Sequence, residues 1–212
     1  MKILFYGDSI TDMARLRENP QVPYSLGVGY PNLIAAELQY ADPEGYEVLN
    51  RGISGNRIVD LYARIKADVW NHEPDVLSIL IGVNDVWHEL DSQNGVDIER
   101  WEKVYRMLIE DTKKKLPDLK IIILEPFVLE GTATTFEGRY ERFLEVKEYA
   151  KVAKKIAEDY GACFVPLQNR FDEVAAKHGG AYYLYDGVHP TAAGSKLIAT
   201  EWLKIFKEEI KK

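Results

Sequence analysis

Apolar residues along the chain follow two alternating patterns. Short continuous runs rich in β-branched or aromatic residues occur at 3–6 (ILFY), 46–50 (YEVLN), 76–81 (VLSILI), 120–124 (KIIIL) and 162–166 (ACFVP). Runs of that length without apolar/polar alternation suit strands covered on both faces. Between them the apolar positions take helical spacing. Ile58, Leu61, Tyr62, Ile65 and Val69 share one face, as do Trp101, Val104, Tyr105, Leu108 and Ile109. Phe143, Val146, Ala150, Ala153 and Ala157 form a third stripe, and Ile198, Trp202, Ile205 and Phe206 form the last. All four read as faces turned toward a core. Strands alternating with helices predict a three-layer α/β domain, in which a five-stranded parallel sheet in flavodoxin-like order lies between two helical layers. With 212 residues and no Pro- or Ser-rich linker, the chain is expected to form a single domain over 1–212.

That expectation also says where chemistry should sit, because open parallel sheets bind ligands outside the carboxyl ends of their strands. The positions there read GDSIT at 7–11, RGISGN at 51–56, GVND at 82–85, EPF at 125–127 and PLQN at 166–169. Gly with Ser, Asn or Asp is ordinary turn chemistry. Glycine-rich βα turns are also where backbone N–H groups become available to a developing anion. Before the last helix comes YDGVHPTAAGS at 185–195, where His189 follows Asp186 by three residues and is fixed by Pro190. A histidine so placed is poorly explained as packing.

Composition and charge narrow the classes. A formal net charge of −7, with basic residues scattered among acidic ones, argues against nucleic acid as a partner. The lone Cys163 excludes an intramolecular disulfide and multi-cysteine metal sites, and within GACFVP it reads as an inert core thiol. The apolar run after Lys2 is too short for a secretory signal, and no stretch approaches a membrane span, so a cytoplasmic location without membrane attachment is expected. The first turn lacks G-x-G-x-x-G, and no Gly-Lys-Ser/Thr step occurs, which removes the common nucleotide motifs. The four histidines, at 72, 88, 178 and 189, form no H-x-x-x-H pair, so neither a metal nor another cofactor is expected.

GDSIT, RGISGN, GVND and DGVHP, in that order along nearly the whole chain, resemble the four blocks of the SGNH (GDSL) hydrolase superfamily. Together with GVGY at 27–30, IGVNDVW and EPF-x-x-EG, they look most similar to its small intracellular acetylxylan esterases. The resemblance implies a serine esterase with Ser9 as nucleophile, His189 as its base and Asp186 as third triad member. It implies an oxyanion hole built from the Ser9 N–H, the Gly55 N–H and the Asn84 side chain, with Gly52 as the competing glycine of the same block. Trp87 then becomes a platform for a sugar ring or, alternatively, packing for a neighbouring helix. Asp8 and Asp85 are read as carboxylates that satisfy backbone N–H groups at βα turns, and Thr191 as a helix N-cap. The implied partner is a small ester, an acetylated oligosaccharide, and a homo-oligomer is compatible with this reading. A lysophospholipase or thioesterase of the same superfamily, and a non-catalytic carbohydrate-binding protein, stand as alternatives. The polar segment 130–141, EGTATTFEGRYE, is expected to be a mobile loop over the site.

Overall fold

The structure, a computed structural model, describes residues 1–18 and 22–211. The five expected strands form one sheet: β1 (Lys2–Gly7), β2 (Glu47–Asn50), β3 (Val76–Leu80), β4 (Lys120–Leu124) and β5 (Cys163–Val165). Their order is β2-β1-β3-β4-β5 and every pairing is parallel, the flavodoxin-like arrangement. Strand ends differ from the sequence reading by a residue or so. β5 stops at Val165 because Pro166 has no N–H with which to continue a ladder.

Helices α1 (Ser9–Asp12), α2 (Tyr30–Ala41), α3 (Ile58–Asp68), α4 (Val83–Ser92) and α5 (Ile98–Lys115) occupy the first half of the chain. They are followed by α6 (Tyr140–Phe143), α7 (Val146–Tyr160), α8 (Gln168–His178) and α9 (Ala192–Ile205). α2 and α9 pack together, as do α3, α5 and α7 in a row. Alternation along β1 explains the two layers, since successive side chains leave a strand on opposite sides. Phe5 meets Tyr30 of α2 and Trp202 of α9, with ring centroids 5.5 and 5.4 Å apart. On the other side, the Tyr6 hydroxyl donates to the Leu61 carbonyl of α3 at 2.6 Å. Most residues of the four predicted stripes are buried; Tyr62, Val104 and Ile205 are half-buried at the stripe edges.

Two long βα connections shape the carboxyl edge. The turn after β2 runs beside β1: Arg51 N–H donates to the Phe5 carbonyl at 2.7 Å and Ile53 N–H to the Gly7 carbonyl at 3.0 Å. The segment after β4 is tied down at its start, unlike the free loop expected there. Leu129 N–H donates to the Gly187 carbonyl at 2.8 Å, Ala133 N–H donates to the Asp186 carbonyl at 3.0 Å, and Thr134 is buried. Thr191 caps α9 as expected, its hydroxyl accepting from Gly194 N–H at 3.3 Å. Among the described residues, no helix is long and apolar enough to cross a membrane.

Trp202 joins the last helix to the central strand. Its ring lies against Phe5 and Phe206, and its indole N–H donates to the Ser78 hydroxyl of β3 at 3.0 Å, all out of solvent. Replacing a fully buried tryptophan by alanine costs about 3–5 kcal/mol. Urea denaturation of Trp202→Ala should show a loss of that order; one below about 1 kcal/mol would mean α9 does not hold the sheet as described.

Candidate active site

β1 delivers its last residues to the sheet's carboxyl edge and turns at once into α1. Gly7 makes the turn possible, because a Cβ there would lie 2.4 Å from the Leu80 carbonyl oxygen and 2.5 Å from Thr11 Oγ1. Asp8 caps α1, Oδ1 accepting from Ile10 N–H at 2.9 Å, which leaves Ser9 as the first helical residue with a partly exposed side chain.

The loop before α9 brings Asp186 and His189 to that point. Ser9 Oγ lies 2.9 Å from His189 Nε2, and His189 Nδ1 lies 2.7 Å from Asp186 Oδ2. The other carboxylate oxygen, Oδ1, accepts from the backbone N–H groups of Val188 at 2.9 Å and His189 at 2.7 Å. With Nδ1–H donating to the carboxylate, Nε2 keeps its lone pair toward the serine hydroxyl. Burial works against the charge on Asp186, but the donors around it prevail and hold its carboxyl below the ordinary range. Burial likewise disfavours the imidazolium of His189. The Asp186 hydrogen bond and charge, helped by Asp8, outweigh it and raise His189 above its usual value.

The two glycines of the RGISGN turn separate clearly. Gly52 N–H donates to Asn50 Oδ1 at 2.9 Å, and a Cβ on Gly52 would lie 2.3 Å from the Asp12 backbone nitrogen. It is spent on packing against α1. Gly55 has φ +83°, which favours glycine, and a Cβ there would meet nothing nearer than His88 Nε2 at 4.0 Å. Asn84, near the start of α4, is buried and points its amide toward the same turn, donating to the Asn56 carbonyl at 3.1 Å and retaining a second N–H.

Two aromatic rings lie close to His189. Trp87 is half-buried, 5.9 Å from the imidazole and in edge contact with Phe143 of α6 at 5.5 Å, so it both packs and borders the site. Tyr185 stacks on the imidazole at 5.8 Å with an interplanar angle of 20°, and is 56% exposed. The sequence assigns Tyr185 no role; the available signal is an aromatic residue immediately before Asp186. Asp8 and Asp85 serve backbone groups as expected, Asp85 Oδ1 accepting from Ile58 N–H at 3.0 Å. Burial pushes Asp8 up to about 7 and Asp85 well above the ordinary carboxylate range. Cys163 is half-buried in β5, away from this edge.

Residues 5–197 match the GDSL-like Lipase/Acylhydrolase family. The chain is 37% identical over 209 residues to an acetylxylan esterase of Geobacillus stearothermophilus, covering 96% of this chain and 92% of that protein. A putative GDSL-like lipase from Parabacteroides merdae superposes with a TM-score of 0.89 at 37% identity, covering 97% of this chain and 95% of that one. A solved structure of the Geobacillus esterase superposes at 0.86 with 36% identity, covering 96% and 93%. It is one of the catalytic mutants of that enzyme in which an aspartate, a serine or a histidine is replaced by alanine. With the parallel sheet and the Ser9 edge already in view, these matches make the chain a member of the GDSL-like lipase/acylhydrolase family and a carboxylic ester hydrolase.

Proposed function

We propose that the protein is a serine esterase that removes small acyl groups, acetyl above all, from xylo-oligosaccharides or other acetylated sugars through an acyl-enzyme on Ser9. The observation that carries this reading is the continuous chain from Ser9 through His189 to Asp186, at 2.9 and 2.7 Å, beside the Gly55 turn. A hydroxyl is a weak nucleophile until a base takes its proton during attack. His189 Nε2 accepts that proton as Ser9 Oγ bonds to the ester carbonyl carbon, and Asp186 stabilises the imidazolium so formed. The carbonyl electron pair moves to oxygen, where the Ser9 N–H, the Gly55 N–H and the free Asn84 N–H receive it. Removing one such donor typically costs a factor of ~10²–10³ in rate. Collapse expels the sugar alkoxide, which takes the proton from His189. Water then repeats the sequence on the acyl-serine, releasing the acid and restoring Ser9.

Three features support an acetylated sugar. The curated relative at 37% identity is an acetylxylan esterase. Trp87 and the exposed Tyr185 both lie near the His189 ring, at 5.9 and 5.8 Å, and aromatic rings suit the apolar face of a pyranose. Tyr185, which is exposed and stacked on His189, presents an aromatic ring with a polar tip, as suits a sugar better than an acyl chain. Acetylated xylo-oligosaccharides and p-nitrophenyl esters of increasing chain length test the reading directly. Turnover should be highest with acetyl and fall with chain length, whereas a rise toward octanoyl would favour the lysophospholipase or thioesterase alternative. Ser9→Ala should fold normally and lose measurable turnover, and a fluorophosphonate should label the wild type at Ser9. Labelling elsewhere would remove the triad assignment.

The pH dependence follows from His189. The base must be neutral, so kcat/KM should be low in acid and rise with pH. Because Asp186 holds His189 above its ordinary value, the midpoint of that rise should lie above about 6.5. Asp186→Asn removes that support: the midpoint should move to lower pH while the rate drops by as much as ~10⁴, the loss known when a triad imidazole is left in the wrong tautomer. A midpoint unmoved by Asp186→Asn would contradict the pairing as the source of the shift.

A further inference from the structure

Asp12 closes the helix that Ser9 opens, and nothing in the chemistry above uses it. It is 2% exposed. Its Oδ2 accepts from Ser54 N–H at 2.9 Å and from the Ser54 hydroxyl at 3.1 Å, and pairs with Arg17 Nη2. Its Oδ1 accepts from Arg15 N–H at 3.3 Å. A carboxylate is buried at this depth only where several donors compensate it. Two of the four donors come from the residue immediately before Gly55, 42 positions along the chain. A local turn cap has no need of them.

The backbone that follows is shaped around this carboxylate. Met13 and Ala14 take φ of +37° and +60°, values rarely adopted outside glycine, and such a turn persists only where its surroundings determine it. Val28 N–H holds the Met13 carbonyl at 2.9 Å. The reversal returns Arg17 to Asp12 and lets Arg15 Nε donate to the Gly52 carbonyl at 2.7 Å. Asn50 Nδ2 adds a bond to the Thr11 carbonyl at 2.7 Å. The nucleophile helix and the RGISGN turn are thus tied through Thr11, Asp12 and Arg15, and of these ties the Asp12 one stands next to Gly55.

Given Ser9 as nucleophile and Gly55 as oxyanion donor, we propose that Asp12 is a positioning residue: by holding Ser54 it fixes where the Gly55 N–H points relative to Ser9 Oγ. A misplacement of about 1 Å in such a constellation can cost ~10²-fold in rate. The interaction should count mainly in the transition state, when charge has reached the carbonyl oxygen.

Steady-state kinetics of Asp12→Asn on an acetyl ester provide the test. The variant keeps the side-chain size but presents an amide where donors converge. It should lose roughly 10- to 100-fold in kcat while KM stays within about threefold. The acid limb of its kcat/KM profile should not move, because Asp186 and His189 are untouched. Ser54→Ala removes only the hydroxyl tie and should lose less, and the double variant should lose less than the product of the two separate losses. A folded Asp12→Asn enzyme with kcat within about twofold of wild type, or with its loss confined to KM, overturns the proposal. If Asp12→Asn does not fold, Ser54→Ala decides: a reduced kcat at unchanged KM supports the tie, and an unchanged kcat overturns it. Fluorophosphonate labelling and Ser9→Ala report on the nucleophile independently. An enzyme that depends on Ser9 yet ignores both variants defeats this proposal alone.

Discussion

The 2.9 Å contact between Ser9 Oγ and His189 Nε2 joins residues 180 positions apart, and the molecule is organised around making that distance short without effort. As the proposed general base, His189 must stand within hydrogen-bond reach of the proton it takes. The sheet meets this requirement by topology. β1 lies inside the sheet between β2 and β3, at the place where successive connections leave in opposite directions, and open α/β sheets have their crevice there. Pairing on both sides fixes the end of β1, and Asp8 caps the short helix that continues it. The last loop then crosses above that end on its way to α9.

Electrostatics does the rest within the same few residues. The buried carboxylates Asp12 and Asp186 are answered by donors drawn from a distant stretch of chain or from their own loop. Two backbone N–H groups and the imidazole favour the charged form of Asp186, which suits the orienting role proposed for it. Asp8 is different: one oxygen caps α1, while Oδ2 is buried with no hydrogen-bond partner among the described residues, and burial lifts its affinity for a proton. The two carboxyl groups flanking the site are pushed in opposite directions by their surroundings. Of the two, Asp186 is the one bonded to the imidazole.

Much of this was legible in the sequence, for identifiable reasons. Short continuous runs enriched in β-branched and aromatic residues and bounded by turn residues favour covered strands, and strands alternating with helices leave few topologies. Once the strand ends are placed, GDSIT, RGISGN and GVND fall at one edge together. What sequence could not separate was Gly52 from Gly55, since both are glycines in one turn. The difference lies in contacts: Gly52 is wedged against the Asp12 backbone, whereas Gly55 faces open space with a left-handed φ. Trp87 was likewise ambiguous, and its ring serves both neighbours at once, Phe143 and His189. Asp12 and Tyr185 went unread because their roles arise from long-range juxtaposition, with Ser54 in one case and the imidazole in the other. Segment 130–141 reads as mobile because its polarity says nothing of the Asp186 carbonyl that binds Ala133 near its start.

The central claim is that the Ser9 hydroxyl itself carries the acyl group during turnover. Rapid acid quenching of the wild-type enzyme during turnover of an acetyl ester, followed by peptide mass spectrometry, examines that claim without any substitution. One acetyl group is expected on the peptide containing Ser9, appearing before free alcohol reaches its steady rate of release and vanishing when substrate is exhausted. Full turnover with Ser9 unmodified at every quench time would overturn it.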